Sequence, residues 1–399
     1  MGLPQTITIE HDAPSMAEAS RLTILSCALF VIIGVVTTLL GPILPFLPLQ
    51  LGVTPERAGQ LFFWQFAAAT CATLASSIVL SKLGFRALIG AALVLVLIGV
   101  AGLQTSHWVI ACCAVACYGV GLGFSIPAIN LTVSRLNPIR RSSVLCILNC
   151  CWVIGAVSGP LLVFALGTPD RFFTLVKVGL ALAIVASLIF GSAAKPRDNG
   201  RASGKAFSNL KPTIVFSILL FLAVGVENSM SGWASSVAMR HFSSASRSSL
   251  ATAAFWLGFF FSRAGAPLIL RKLTDEQLLN RSFLCAIGGV LVFYASVNGP
   301  MALVGCGLAG FGVGALFPLI LSRMTGEMGT SNPALAICFG FANLGAALLP
   351  PLAGKTGSVF GDSGYALTVP LIGLLAAAIL VRVRTLSSTD SAASAASEL

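Results

Sequence analysis

Between Arg21 and Arg384 the chain is almost wholly apolar, broken at intervals into about a dozen stretches of roughly 20 residues. That length is what a helix needs to cross the hydrocarbon core of a bilayer. Lipid offers no partners to backbone N–H and C=O groups, so uninterrupted apolar runs of this size must be helices. Composition agrees, with 56% hydrophobic residues, 9% charged residues and a mean hydropathy of +0.94. The expected fold class is an all-α membrane protein.

The apolar stretches place twelve spans near 21–45, 57–80, 87–105, 108–133, 143–166, 171–194, 212–238, 248–270, 281–297, 301–324, 333–355 and 362–384. The links between them sort by charge. One alternating set, which includes Arg21, Lys82, Arg86, Arg140, Arg141, Arg271, Lys272 and Arg384, holds seventeen Lys and Arg. The other holds five: Arg57, Arg171, Arg240, Arg247 and Lys355. Cytoplasmic loops carry the excess of cations, so both termini are expected in the cytoplasm and the number of spans is even. The same bias accounts for the net charge of +11, which reads as attraction to anionic headgroups rather than to nucleic acid.

Residues 1–20 are polar and contain Glu10, Asp12 and Glu18, unlike the basic start of a cleaved signal peptide. They are expected to form a cytoplasmic tail, as are residues 385–399. The polar stretch 195–211 reads as a flexible cytoplasmic linker between a half at 21–194 and a half at 212–384.

The halves repeat. Gly119, Gly121, Gly123 and Pro127 recur as Gly310, Gly312, Gly314 and Pro318, each 191 residues later. Pro160–Leu161 recurs as Pro351–Leu352, and Gly41 as Gly232, at the same offset. Two parallel six-helix halves related about the membrane normal are an architecture of secondary transporters, with the substrate near the midplane between them. The glycines read equally as close helix packing and as surfaces on which helices slide.

On these residues the chain resembles the major facilitator superfamily. The link Ser81-Lys82-Leu83-Gly84-Phe85-Arg86 resembles that superfamily's signature loop of acidic residue, Arg, any residue, Gly, Arg. Lys82, Gly84 and Arg86 fit it, which implies a structural or gating role for them. Ser81 stands where Asp is usual, so the acidic half of the charge-pair latch proposed for the loop is missing. Gly225-Val226-Glu227 with Gly232-Trp233, Phe255-Trp256-Leu257-Gly258 leading to Arg263, Phe317-Pro318, and Asn137-Pro138 with Arg140-Arg141 are similar to the fucose permease branch. Sugar–proton symporters of that branch use carboxylates in spans 1 and 4, and this chain has none in either. The resemblance implies alternating access, a monosaccharide substrate and a monomer in the plasma (inner) membrane.

An ionisable group inside the bilayer is a functional candidate by default. Glu227 is the acid well inside a span, about 22 Å from the cytoplasmic end of span 7, and Arg263 stands about 10 Å from the cytoplasmic end of span 8. Glu227 reads either as a substrate ligand that also exchanges a proton or as a structural anion. Arg263 reads as a brace between spans 7 and 8. Lys177 can snorkel and takes no role. Gln65, Asn130, Asn149, Asn228 and Asn343 need partners inside the spans, either a substrate or another helix. Asn149 and Trp152 share a face of span 5, where an indole beside an amide suits a sugar ring. Trp256 is a further candidate for the cavity, as are Trp64 and Trp233.

Rival functions lose their residues. The cysteines all fall within spans, and Cys113/Cys117 lie about 20 Å in depth from Cys146/Cys150, too far apart for one metal site. His11, His107 and His241 share no metal-binding spacing. Gly354-Lys355-Thr356 resembles the end of a phosphate-binding loop, but Leu349 replaces its first glycine and no strand precedes it. No enzyme, cofactor or metal is expected. The function expected is secondary transport of a small polar solute, with export of amphipathic molecules, or uncoupled facilitation, as the alternatives.

Overall fold

The computed structural model describes residues 16–137, 139–191, 210–328, 334–360 and 367–397. The tail before residue 16, Pro138 and most of the 195–211 linker lie outside the described residues. Among the described residues there are twelve long helices and no strand. They are α1 (Met16–Thr37), α2 (Leu61–Leu83), α3 (Phe85–Gly102), α4 (Trp108–Leu136), α5 (Arg141–Leu166) and α6 (Pro169–Phe190) in the first half. The second half has α7 (Leu210–Ala238), α8 (Ala245–Ile269), α9 (Asp275–Tyr294), α10 (Gly299–Met328), α11 (Ala334–Phe360) and α12 (Thr368–Ser397).

Ten of the spans these form are long and apolar enough to cross a membrane. The other two are α8, diluted by Ser246, Arg247, Ser248, Ser249, Ser262 and Arg263, and α12, whose apolar part is Thr368–Arg382. α1 begins five residues before its expected span and α12 continues past Arg384, so helix replaces part of each expected tail. α9 begins at Asp275 rather than 281 because Thr274 and Gln277 cap it reciprocally, each side chain meeting the other's backbone N–H.

The first span is broken. Pro42 has no N–H to give the Thr38 carbonyl, which takes Gly41 N–H instead at 3.3 Å. Leu39 N–H likewise reaches back only three residues, to the Val36 carbonyl at 3.2 Å. The chain then proceeds through short helical turns at Leu40–Ile43, Leu47–Leu51 and Pro55–Gly59. Tightening the helix frees the Thr37 carbonyl, and the Gln65 amide donates to it at 2.9 Å from α2. The Tyr118 hydroxyl of α4 donates to Gln65 Oε1 at 3.0 Å. Both side chains are buried, at 1% and 0% exposure, so neither has water as an alternative partner.

Replacing Gln65 with Leu strands both the Thr37 carbonyl and the Tyr118 hydroxyl, each at a cost of about 1–3 kcal/mol. Tyr118→Phe strands one group, Gln65 Oε1, and carries one such cost. Thermal unfolding in detergent should rank the proteins wild type, Tyr118→Phe, Gln65→Leu in falling stability. Equal melting of all three would mean that the break does not depend on this chain of bonds.

The repeated glycines make the same contacts twice. A Cβ on Gly119 would lie 2.5 Å from the Gln65 carbonyl oxygen of α2, and one on Gly121 2.5 Å from that of Ala92 in α3. In the second half, Gly310 presses on the Phe255 carbonyl of α8 and Gly312 on the backbone of Ala286 in α9. Alternating glycines thus seat α4 against α2 and α3, and α10 against α8 and α9.

The halves meet mainly through α5 on α8 and α2 on α11. Their cross-links lie at the end of the bundle opposite the start of α1, the far end. Ser249 Oγ donates to the Pro160 carbonyl at 2.9 Å and Ser358 Oγ to Glu56 Oε2 at 2.8 Å. At the other end, Gly84 joins α2 to α3 with φ of 78°, a left-handed conformation that favours glycine. Arg86 Nε donates to the Gly191 carbonyl at 2.8 Å, and exposed Lys82 flanks the link. The Ser81 hydroxyl donates to the Ile78 carbonyl at 2.8 Å, so it stays with its own helix and replaces no charge. Arg384 pairs with Glu327 and lies over the Phe216 ring, tying α12 to α10 and α7.

Candidate functional site

A cavity of about 140 Å³ lies where the broken first span meets α7 and α8. Thr37, Thr38 and Gly41 line it from the break, and Phe62, Phe66 and Trp152 from α2 and α5. Glu227, Asn228, Ser231 and Gly232 of α7 form the opposite wall with Trp256 of α8. Both halves therefore contribute, and the polar groups differ between them. The first half offers two threonine hydroxyls, already donating to the Ile33 and Gly34 carbonyls at 2.7 and 3.0 Å. The second half supplies a carboxylate, the Asn228 amide, which donates to the Val224 carbonyl at 2.8 Å, and the ring of Trp256.

The Glu227 carboxylate makes no hydrogen bond or ion pair with the described residues. Arg263 acts on it through space without reaching it. The Arg263 guanidinium instead donates to the Gly314 carbonyl at 3.2 Å and stacks over Phe259, 4.2 Å from the ring centroid. It therefore braces α8 to α10, a correction to the expected brace between spans 7 and 8: the free carbonyl on α10 is closer than the acid. Trp256 is 2% exposed and its buried Nε1–H has no acceptor among the described residues. Its ring meets Trp152 edge to face at 5.4 Å, an aromatic contact across the two halves.

Of the expected substrate ligands, the cavity gathers Trp152, Glu227, Asn228 and Trp256. The other four stand outside its lining. Gln65 is committed to the broken span. The Asn130 amide donates to the Ile126 carbonyl at 2.9 Å, and that of exposed Asn149 to the Leu145 carbonyl at 2.8 Å. Asn343 is half-buried on α11. Thr37, Thr38, Phe62, Phe66 and Ser231 line the cavity although no feature of their own marked them. The signal that could have found the threonines was Gly41-Pro42 followed by Pro45, a helix break at mid-membrane.

The far end of the cavity is sealed by Trp233, with Trp64 elsewhere, 44% exposed beside Phe63. Trp233 Nε1 donates to the Pro350 carbonyl at 2.8 Å. Its ring lies between Gly59 of the first half and Gly354 of the second. A Cβ on either glycine would stand 2.5 Å from ring carbon Cζ2. Just before Trp233, Gly232 faces the Phe62 ring and Ser231 gives its carbonyl to close contact with Gly41, so the seal has no room for further side chains. Among the described residues no three His, Cys, Asp or Glu side chains gather as metal ligands.

The sequence model described as Major Facilitator Superfamily matches residues 26–333. No curated protein sequence matches the chain. Among solved structures, that of the E. coli fucose:proton symporter is similar at a TM-score of 0.58 and 17% identity, over 91% of this chain and 98% of that one. A peptide transporter POT in complex with sulfate is similar at a TM-score of 0.70 and 14% identity, over 92% and 94%. At such identities the likeness is one of fold, whereas the sequence model covers most of the chain. Long apolar helices in two repeated halves around a shared cavity are the architecture of a membrane transporter rather than an enzyme, and the chain belongs to the major facilitator superfamily.

Proposed function

We propose that the protein is a proton-coupled monosaccharide transporter in which Glu227 both holds the substrate and carries the proton. The observation that supports this reading is an unpartnered carboxylate in an aromatic-walled cavity shared by both halves, with an indole N–H buried in the wall that has no acceptor among the described residues. A pyranose answers the carboxylate: its hydroxyls donate to Glu227 while a C–H face rests on Trp152, Phe62 or Phe66, and a turn of the Trp256 ring on binding gives the buried N–H a sugar oxygen as acceptor.

An amphipathic cation is the second reading, favoured by a lone carboxylate among aromatic rings. It would satisfy Glu227 but offer no acceptor to Trp256, so the sugar accounts for more of the site. With the termini in the cytoplasm, as the loop cations imply, and the protein a monomer in the plasma membrane, as the family resemblance implies, the far end is the outer one. The conformation is then closed to the outside, with Lys82, Gly84, Arg86 and Arg263 shaping helix packing on the cytoplasmic side.

The test is a binding titration. Tryptophan emission from the purified protein should change saturably with one sugar stereoisomer, fucose or glucose. Trp256→Phe keeps the ring and loses the N–H, a bond of about 1.4 kcal/mol, so affinity should fall about tenfold. Saturation by an apolar ammonium and by neither sugar would replace this reading with the second.

A further inference from the structure

On the face that carries the link from α8 to α9, a groove of about 540 Å³ combines two chemistries. Leu268, Ile269 and Leu273 give it apolar walls, and Arg271, Lys272 and Arg281 bring three cations to it. None of the three makes a side-chain hydrogen bond or ion pair with the described residues. Two acids stand nearby, Asp275 and Glu276, in the first turn of α9, where the helix dipole favours anions. Neither pairs with a groove cation.

The matching link in the first half differs. There Arg86 is spent on the Gly191 carbonyl and only Lys82 is left over. A general excess of loop cations explains charge at both links, but not a groove on one of them with its cations unspent. At this depth the apolar walls border the acyl chains and the cations reach headgroup level. A free phosphate would answer the cations and leave the walls unused.

We infer that the groove binds one anionic phospholipid, its phosphodiester held among Arg271, Lys272 and Arg281 and an acyl chain lying along Leu268, Ile269 and Leu273. The inference rests on the chain spanning a membrane and is independent of what the protein carries. Each cation near an anionic headgroup contributes about 1 kcal/mol, so replacing all three with Gln should weaken binding on the order of 100-fold.

Native mass spectrometry of the detergent-purified protein tests it, with phosphatidylglycerol and phosphatidylcholine as probes. The wild type should retain one phosphatidylglycerol in preference to phosphatidylcholine. Arg271→Gln/Lys272→Gln/Arg281→Gln should lose it, and Arg135→Gln/Arg140→Gln/Arg141→Gln, which removes equal charge elsewhere, should keep it. If the first triple variant fails to fold, Arg281→Gln alone should lose about fivefold. Equal loss in both triple variants, or undiminished retention in the first, would overturn the site. Displacement of the lipid by inorganic phosphate at equal concentration would make it an anion site instead.

Discussion

Glu227→Gln abolishes accumulation of the transported sugar against its gradient and leaves exchange across the membrane intact. The amide keeps the shape of the carboxylic acid and still hydrogen-bonds a hydroxyl, so the cavity and its alternation between sides persist. It cannot release a proton, so an imposed gradient no longer drives the cycle. A gradient of one pH unit, about 1.4 kcal/mol, supports about tenfold accumulation at one proton per sugar. The variant should equilibrate at a ratio of one. Labelled-sugar uptake and counterflow in proteoliposomes separate the two properties. Full accumulation in Glu227→Gln would remove the residue as the proton carrier.

The other large effect is expected at the far-end seal. Gly59→Val places a branched side chain where the Trp233 ring now lies, and a Cβ alone is already too close. Overpacking of this kind costs about 1–3 kcal/mol, which falls on the conformation closed at the far end and spares the one in which Gly59 and Trp233 separate. Turnover should drop about 5- to 150-fold while sugar still binds from the far side. Trp233→Ala in the same protein removes the obstacle and should restore part of the rate. Gly59→Val with normal turnover, or no recovery in the double variant, would show that the glycine–indole contact does not close the far end.

Spans and their repeat were legible because both are written in local composition. Apolar length marks a helix that meets lipid, and glycines at one offset mark where helix backbones touch in each half. Glu227 was legible for the same reason, since an acid inside hydrocarbon needs a cause. The amides were harder. A buried Gln must find partners, but whether they belong to a substrate or the protein depends on carbonyls that the sequence leaves undeclared. For Gln65 the partner is the Thr37 carbonyl, twenty-eight residues earlier in the chain and freed by the helix break before Pro42. Asn149 and Trp152 share a helix face, yet only the indole reaches the cavity, because three residues also separate them by about 4.5 Å in depth. Arg263 found the Gly314 carbonyl on α10, left free because Pro318 four residues on has no N–H to give it, and that the two meet needs the packed bundle. The early start of α9 was written in Thr274 and Gln277 but obscured by the charges between them.

The central claim is that the cavity beside Glu227 carries a monosaccharide driven by protons. The most direct measurement is uptake of labelled fucose and glucose into proteoliposomes containing the purified protein, with and without an inward proton gradient. Accumulation of one of the sugars above its outside concentration, only when the gradient is present, is the predicted result. Absence of saturable uptake for both sugars under either condition would contradict it.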